Sequence, residues 1–160
     1  MNPYYDLNGK KILPIFASPM AAVVNKENMQ CFWENSIIPI LPRTYTIEER
    51  LEVVKNGEWI ALGLEEFVKY FSEENDFLKS ITEPTELHVL IDIAQGHMLQ
   101  TINYIIDARE LEKTLDNITL IIMAGNIAEP EYVNEILYRG VDIDYIRLGI
   151  GGGACCITSP

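Results

Sequence analysis

Short, almost wholly apolar runs alternate along the chain with longer stretches whose apolar residues recur at helical spacing. The apolar runs cover residues 12–16, 37–41, 59–62, 87–93, 118–123 and 145–148. They are rich in Ile, Leu and Val and carry few polar residues, which predicts strands buried on both faces, as in a parallel sheet covered by helices. The intervening stretches predict helices over 26–34, 47–55, 65–71, 97–113 and 130–138. Asn25 is a good N-cap for the first. Thr46 and Glu49 form a capping-box pair for the second, which Gly57 then stops. Pro130 suits a first helical turn and Gly140 a C-terminal stop.

The pattern is a βα unit repeated about six times, with no interdomain linker, so residues 1–160 read as one α/β domain. Periodicity leaves two architectures open, a doubly wound open sheet and a (β/α)8 barrel. A complete barrel needs about 250 residues, so in 160 residues a barrel would be incomplete.

Composition narrows the function classes. A net charge of −12 disfavours tracking of a nucleic-acid backbone. Backbone N–H groups at loops can still hold a small anion. The apolar runs are far shorter than the ~18 residues of a membrane span, and the start has no signal-peptide pattern. Three cysteines, two of them adjacent, do not form a disulfide framework. These features together predict a cytoplasmic protein with reduced thiols, free of membrane and of nucleic acid.

Residues 147–158 (RLGIGGGACCIT) carry the sharpest chemistry. Gly149, Gly151 and Ala154 formally fit a dinucleotide fingerprint, but no helix and distant acidic residue follow. A glycine-dense turn at a strand end still presents several N–H groups to a ligand, although a plain tail has the same composition. Cys155 and Cys156 lack partners at zinc-site spacing. A thiol beside such a nest would be a nucleophile, while a small apolar filler is the alternative. Asp92 closes an apolar strand, where a carboxylate points either to an active face or to a helix N-cap. Asn126 stands at the end of another strand, where a turn-forming role competes.

Four segments in order, residues 13–20 (LPIFASPM), 89–97 (VLIDIAQGH), 122–126 (IMAGN) and 147–158, make the chain resemble the catalytic barrel of the IMP dehydrogenase/GMP reductase family. The resemblance implies an incomplete TIM (β/α)8 barrel, with about six of eight units in this chain. It implies a purine-nucleotide oxidoreductase acting on IMP, GMP or XMP with NAD or NADP. Cys156 then matches the nucleophile that attacks purine C2, and Thr158 the threonine that assists the hydrolytic or deaminating step. Ser18, Met20, Asn126, Gly153 and Ala154 match nucleotide-site positions, and Asp92, Arg147 and Gly149 positions near the nicotinamide ribose. The carbonyls of Gly151, Gly153 and Cys156 match a monovalent-cation site, with K+ as the ion.

The resemblance also implies an oligomer, a tetramer in the family. Some positions depart from the family pattern. Ala154 stands where a serine is usual and Ala21 where an aspartate is usual, which favours the alternative of an inactive remnant or assembly subunit that binds nucleotide. The inserted CBS pair of the dehydrogenases has no counterpart between the second and third strands, an absence shared with GMP reductases. With six units matched, the resemblance further implies a second chain supplying the remaining two.

Overall fold

Six parallel strands lie side by side in the order in which the chain makes them, and this monotonic order settles the architecture. A doubly wound sheet reverses its strand order at a switch point. Here β3 (Phe16–Ala17), β4 (Ile38–Leu41), β5 (Trp59–Leu62), β6 (Thr85–Asp92), β7 (Ile118–Ile127) and β8 (Tyr145–Leu148) follow one another without reversal. Successive right-handed crossovers then place every helix on one face, and the other face curls on itself. The result is six parallel strands with the five helical crossovers between them, an incomplete (β/α)8 barrel. The computed structural model describes residues 5–7, 10–13, 15–93 and 98–148.

Alternation along each strand sorts the apolar residues into two cores. Outward-facing Leu41, Ile60, Leu62, Val89, Ile91, Leu120, Ile122 and Ala124 meet the helices. Inward-facing Ile38, Ile40, Trp59, Ala61, Leu90 and Met123 fill the barrel, with Phe16 and Tyr145 packed against them. Both faces of β4 to β7 are therefore largely buried, which is why these strands read as continuous apolar runs. The Phe16 and Tyr145 rings meet edge-on at 5.4 Å between centroids, although they stand on the two edge strands. Trp59 makes the same kind of contact with both. This aromatic bridge holds the curl.

The helical layer comprises α1 (Met29–Glu34), α2 (Ile47–Val54), α3 (Leu64–Tyr70), α4 (Asp76–Lys79), α5 (Met98–Glu112) and α6 (Pro130–Arg139). The capping box of α2 forms as its sequence predicts: the Glu49 N–H donates to Thr46 Oγ1 at 3.3 Å and the Thr46 N–H to Glu49 Oε2 at 3.0 Å. Gly140 closes α6 with φ of 60°. Arg109 of α5 is a buried clasp. It donates to the Leu120 carbonyl at 2.7 Å, the Asp142 carbonyl at 2.9 Å and Asp144 Oδ2 at 2.6 Å, tying the helix to β7 and to the turn before β8.

Several boundaries differ from the sequence expectation. The first helix begins at Met29, not residue 26, because Asn25 and Asn28 exchange hydrogen bonds, Asn25 N–H to Asn28 Oδ1 at 2.8 Å and Asn28 N–H to Asn25 Oδ1 at 2.9 Å, and so form a turn. The run expected as one strand at 12–16 divides. Ile12 ends an antiparallel hairpin, β1 (Tyr5–Leu7) with β2 (Lys10–Ile12), whereas Phe16–Ala17 joins the sheet. A proline within such a run interrupts ladder pairing. β7 runs four residues beyond its predicted end, so Asn126 lies within a strand and not in a turn.

Candidate functional site at the C-terminal rim

The C-terminal ends of β6 and β8 carry a carboxylate and a guanidinium, Asp92 and Arg147. Strand register sets them in a row: Asp92 of β6 lies opposite Gly125 of β7, and Arg147 of β8 lies just beyond. Arg147 Nη1 reaches Asp92 Oδ1 at 3.2 Å, spanning β7. Gly125 makes this crossing possible. A Cβ at position 125 would lie 2.8 Å from Arg147 Cβ and would collide with the Arg147 carbonyl oxygen.

Asp92 is almost buried, and burial pushes its carboxyl above the ordinary range. Arg147 and Arg43 offset that only in part. Oδ2 takes no hydrogen bond from a described residue, so one carboxylate oxygen keeps its accepting capacity. Beside this row, a cavity of about 190 Å³ opens between the edge strands, lined by Phe16, Ser18, Pro19, Met123, Tyr145 and Arg147 among others. Ser18 lies in the turn after β3, where the Met20 N–H donates to the Ser18 carbonyl at 2.7 Å.

The structure thus brings Ser18, Asp92 and Arg147 to one rim. Asn126 is buried beside them, its N–H donating to the Ile93 carbonyl at 2.7 Å. Met20 is in the same loop as Ser18 but is exposed and does not line the cavity. Gly149, Gly151, Gly153, Ala154, Cys156 and Thr158 lie outside the described residues.

Sequence reasoning missed two participants. Arg43 follows β4, and its Nη1 approaches the Asp92 carbonyl at 3.5 Å. Its Nε lies 3.8 Å from Glu66 Oε2. Gly63, after β5, leaves the space in which the Arg43 guanidinium lies. The one available signal was position, a charged residue just past a predicted strand's C-terminal end.

Among the described residues no group of three His, Cys, Asp or Glu side chains comes together as a metal site. The rim does fit a nicotinamide nucleotide by donor chemistry: a carboxylate oxygen suits ribose hydroxyls, and two guanidiniums suit an anionic ligand. No helix among the described residues is long and apolar enough to cross a membrane.

A parallel barrel with a row of charged residues at the strands' C-terminal ends is the architecture of (β/α)8 enzymes. The family profile described as "IMP dehydrogenase / GMP reductase domain" matches residues 68–160, and the chain belongs to this family of purine-nucleotide oxidoreductases. A GMP reductase of Staphylococcus epidermidis is 32% identical over 148 residues, covering 91% of this chain and 43% of that protein. A GMP reductase of Clostridium acetobutylicum is 32% identical over 149 residues, with the same coverage of 91% and 43%. An inosine 5' monophosphate dehydrogenase structure from Legionella pneumophila superposes with a TM-score of 0.61 at 21% identity, covering 94% of this chain and 44% of that one. The chain spans less than half the length of these relatives.

Proposed function

We propose that this chain forms the nucleophile-bearing part of a purine-nucleotide oxidoreductase of GMP reductase or IMP dehydrogenase type. The observation that carries the proposal is the Asp92–Gly125–Arg147 row on the C-terminal rim, immediately upstream of the Gly149–Cys156 segment that the family profile spans. The similarity to named GMP reductases favours the reductive direction.

In that direction Cys156 adds as the thiolate to C2 of GMP, and the 2-amino group takes up the proton that the thiol released and departs as ammonia. A reduced nicotinamide, held by Asp92, Arg147 and Gly149, would be the source of the hydride for C2. The C–S bond then breaks, returning its electron pair to sulfur and releasing IMP. Thr158 assists the step in which ammonia, or water in the oxidative direction, is exchanged. Ser18, Met20, Asn126, Gly153 and Ala154 hold the nucleotide. Asp92, Arg147 and Gly149 orient the NAD or NADP ribose. In the oxidative direction the carbonyls of Gly151, Gly153 and Cys156 would hold K+.

The edges of β3 and β8 are each paired on one side only among the described residues. We place the remaining two units of the barrel on these edges, supplied by further polypeptide, whether a second chain or not, in an oligomer. A second reading, a nucleotide-binding subunit without turnover, rests on Ala154 and Ala21.

The test is GMP-dependent oxidation of NADPH by the protein carrying this sequence together with its completing units. Wild type is expected to turn over, and Cys156→Ser to lose at least about 1,000-fold in kcat. NADPH oxidation that survives Cys156→Ser would overturn the reductase reading, and nucleotide binding without turnover would select the second.

A further inference from the structure

Arg43 is the rim residue that the functional reading does not use, and its surroundings are built around it. Three elements converge to hold its guanidinium at the mouth. Gly63 provides the slot: a Cβ at position 63 would stand 2.7 Å from Arg43 Nη2 and 3.0 Å from Cζ, too close for both to remain. Glu66 provides the counter-charge, with Oε2 3.8 Å from Arg43 Nε. Glu66 is itself fixed. It pairs with the buried guanidinium of Arg50 at 2.5 Å and accepts from the Gly63 N–H at 2.8 Å. Arg50 in turn donates to the Ala61 carbonyl at 2.6 Å and the Tyr45 carbonyl at 3.1 Å. Burial works to raise the Glu66 carboxyl, but Arg50 and the Gly63 N–H together hold it below the ordinary range, so it stays ionised.

A surface arginine held only by chance would not need this support. The end of the arrangement is Asp92, whose backbone carbonyl lies 3.5 Å from Arg43 Nη1. Arg147 takes the carboxylate of the same residue at 3.2 Å. Asp92 is therefore held from two sides by cations on different strand ends, one at its carbonyl and one at its carboxylate. These are the only two described cations that act on it. Arg43 keeps much of its side chain open to solvent, whereas Asp92 is nearly buried.

We propose that Arg43 is a positioning residue: through the Asp92 carbonyl it fixes the C-terminal end of β6 and so holds the Asp92 carboxylate oriented for the hydroxyl pair of a nucleotide ribose. The proposal deepens the cofactor reading of Asp92 and rests on it. Without Arg43, the buried carboxylate loses one of its two neighbouring cations. It then binds a proton at higher pH and accepts the diol less well.

The experiment compares wild type with Arg43→Gln, Arg43→Lys and Gly63→Ala. The last displaces the guanidinium without removing its charge. NADPH affinity is measured by calorimetry, and Asp92 titration is followed by carbon-13 NMR of the labelled carboxyl. Retained thermal unfolding in Arg43→Lys and Gly63→Ala keeps the comparison meaningful if Arg43→Gln folds poorly.

Expected results are a loss of about 10-fold or more in NADPH affinity for Arg43→Gln, partial rescue by Arg43→Lys, and an upward shift of the Asp92 titration. Arg43→Gln in an Asp92→Asn background is expected to add little. Unchanged affinity in Arg43→Gln, with NADPH bound by wild type, would overturn the proposal. If wild type binds no NADPH, the cofactor reading fails by itself, and the Asp92 titration decides on Arg43. An upward shift supports its positioning role; an unmoved titration and chemical shift overturn it.

Discussion

His88 shows how far burial alone can commit a residue. It projects inward from β6 against Trp59, with ring centroids 5.2 Å apart, and is 1% exposed. Neither ring nitrogen reaches a partner at hydrogen-bonding geometry among the described residues, and the Glu86 carboxylate stands 3.7 Å from Nε2. Burial pushes the imidazole below its ordinary range, against the smaller opposing pull of Glu86, the Gly57 backbone and Asp144. The folded state therefore holds His88 neutral, while the unfolded chain protonates it near its ordinary value. Stability from this group is present above that value and is lost as pH falls through it. Urea unfolding between about pH 7.5 and about pH 5.5 is expected to show wild type losing stability relative to His88→Leu. Parallel pH curves for the two proteins would contradict a neutral buried imidazole.

At the scale of elements, β7 and β8 are packed to the point that one methyl group decides their spacing. Gly125 faces the Arg147 backbone at a distance no side chain fits. Gly125→Ala must push β8 away and break the Asp92–Arg147 pairing. A cost of about 2 kcal/mol in denaturant stability is expected, together with weaker nucleotide binding. A variant as stable as wild type would mean that β8 can move without strain.

The sequence made β4 to β7 legible because each is largely buried on two faces and so carries a nearly unbroken apolar run. The run at 12–16, by contrast, was divided between a hairpin and β3, and β8 is only half-buried. The sequence did not reveal the β1–β2 hairpin or α4, which are too short for any period to show. It also placed the Asn126 strand end too early, since Ala124, Gly125 and Asn126 lack the bulk that marks a strand. Asp92 and Arg147 were identified by resemblance, and only strand register shows that they meet across Gly125. Arg43 and Gly63 escaped notice because a turn arginine and a turn glycine are unremarkable until their slot is seen. The glycine–cysteine segment was the clearest chemical signal in the sequence, yet the rim, and not that segment, supplies the described geometry.

The whole molecule is a curled sheet whose two edge strands touch through Phe16 and Tyr145 inside while each keeps one unpaired flank. That form explains why the site gathers at one end. All six strands point the same way, so every strand's C-terminal residue arrives at one rim, and β8 ends there at Leu148, next in sequence to the Gly149–Cys156 segment that lies outside the described residues. The central claim is that this segment delivers Cys156 to a purine nucleotide held there. It is tested most directly by mass-spectrometric measurement of iodoacetamide labelling at each cysteine, with and without GMP or IMP. Exposed Cys31 on the helical layer serves as the internal control. The account predicts that nucleotide changes the labelling rate of Cys156 by about 10-fold or more while Cys31 is unaffected. Labelling of Cys156 that is indifferent to both nucleotides, in a protein carrying its full barrel, would contradict it.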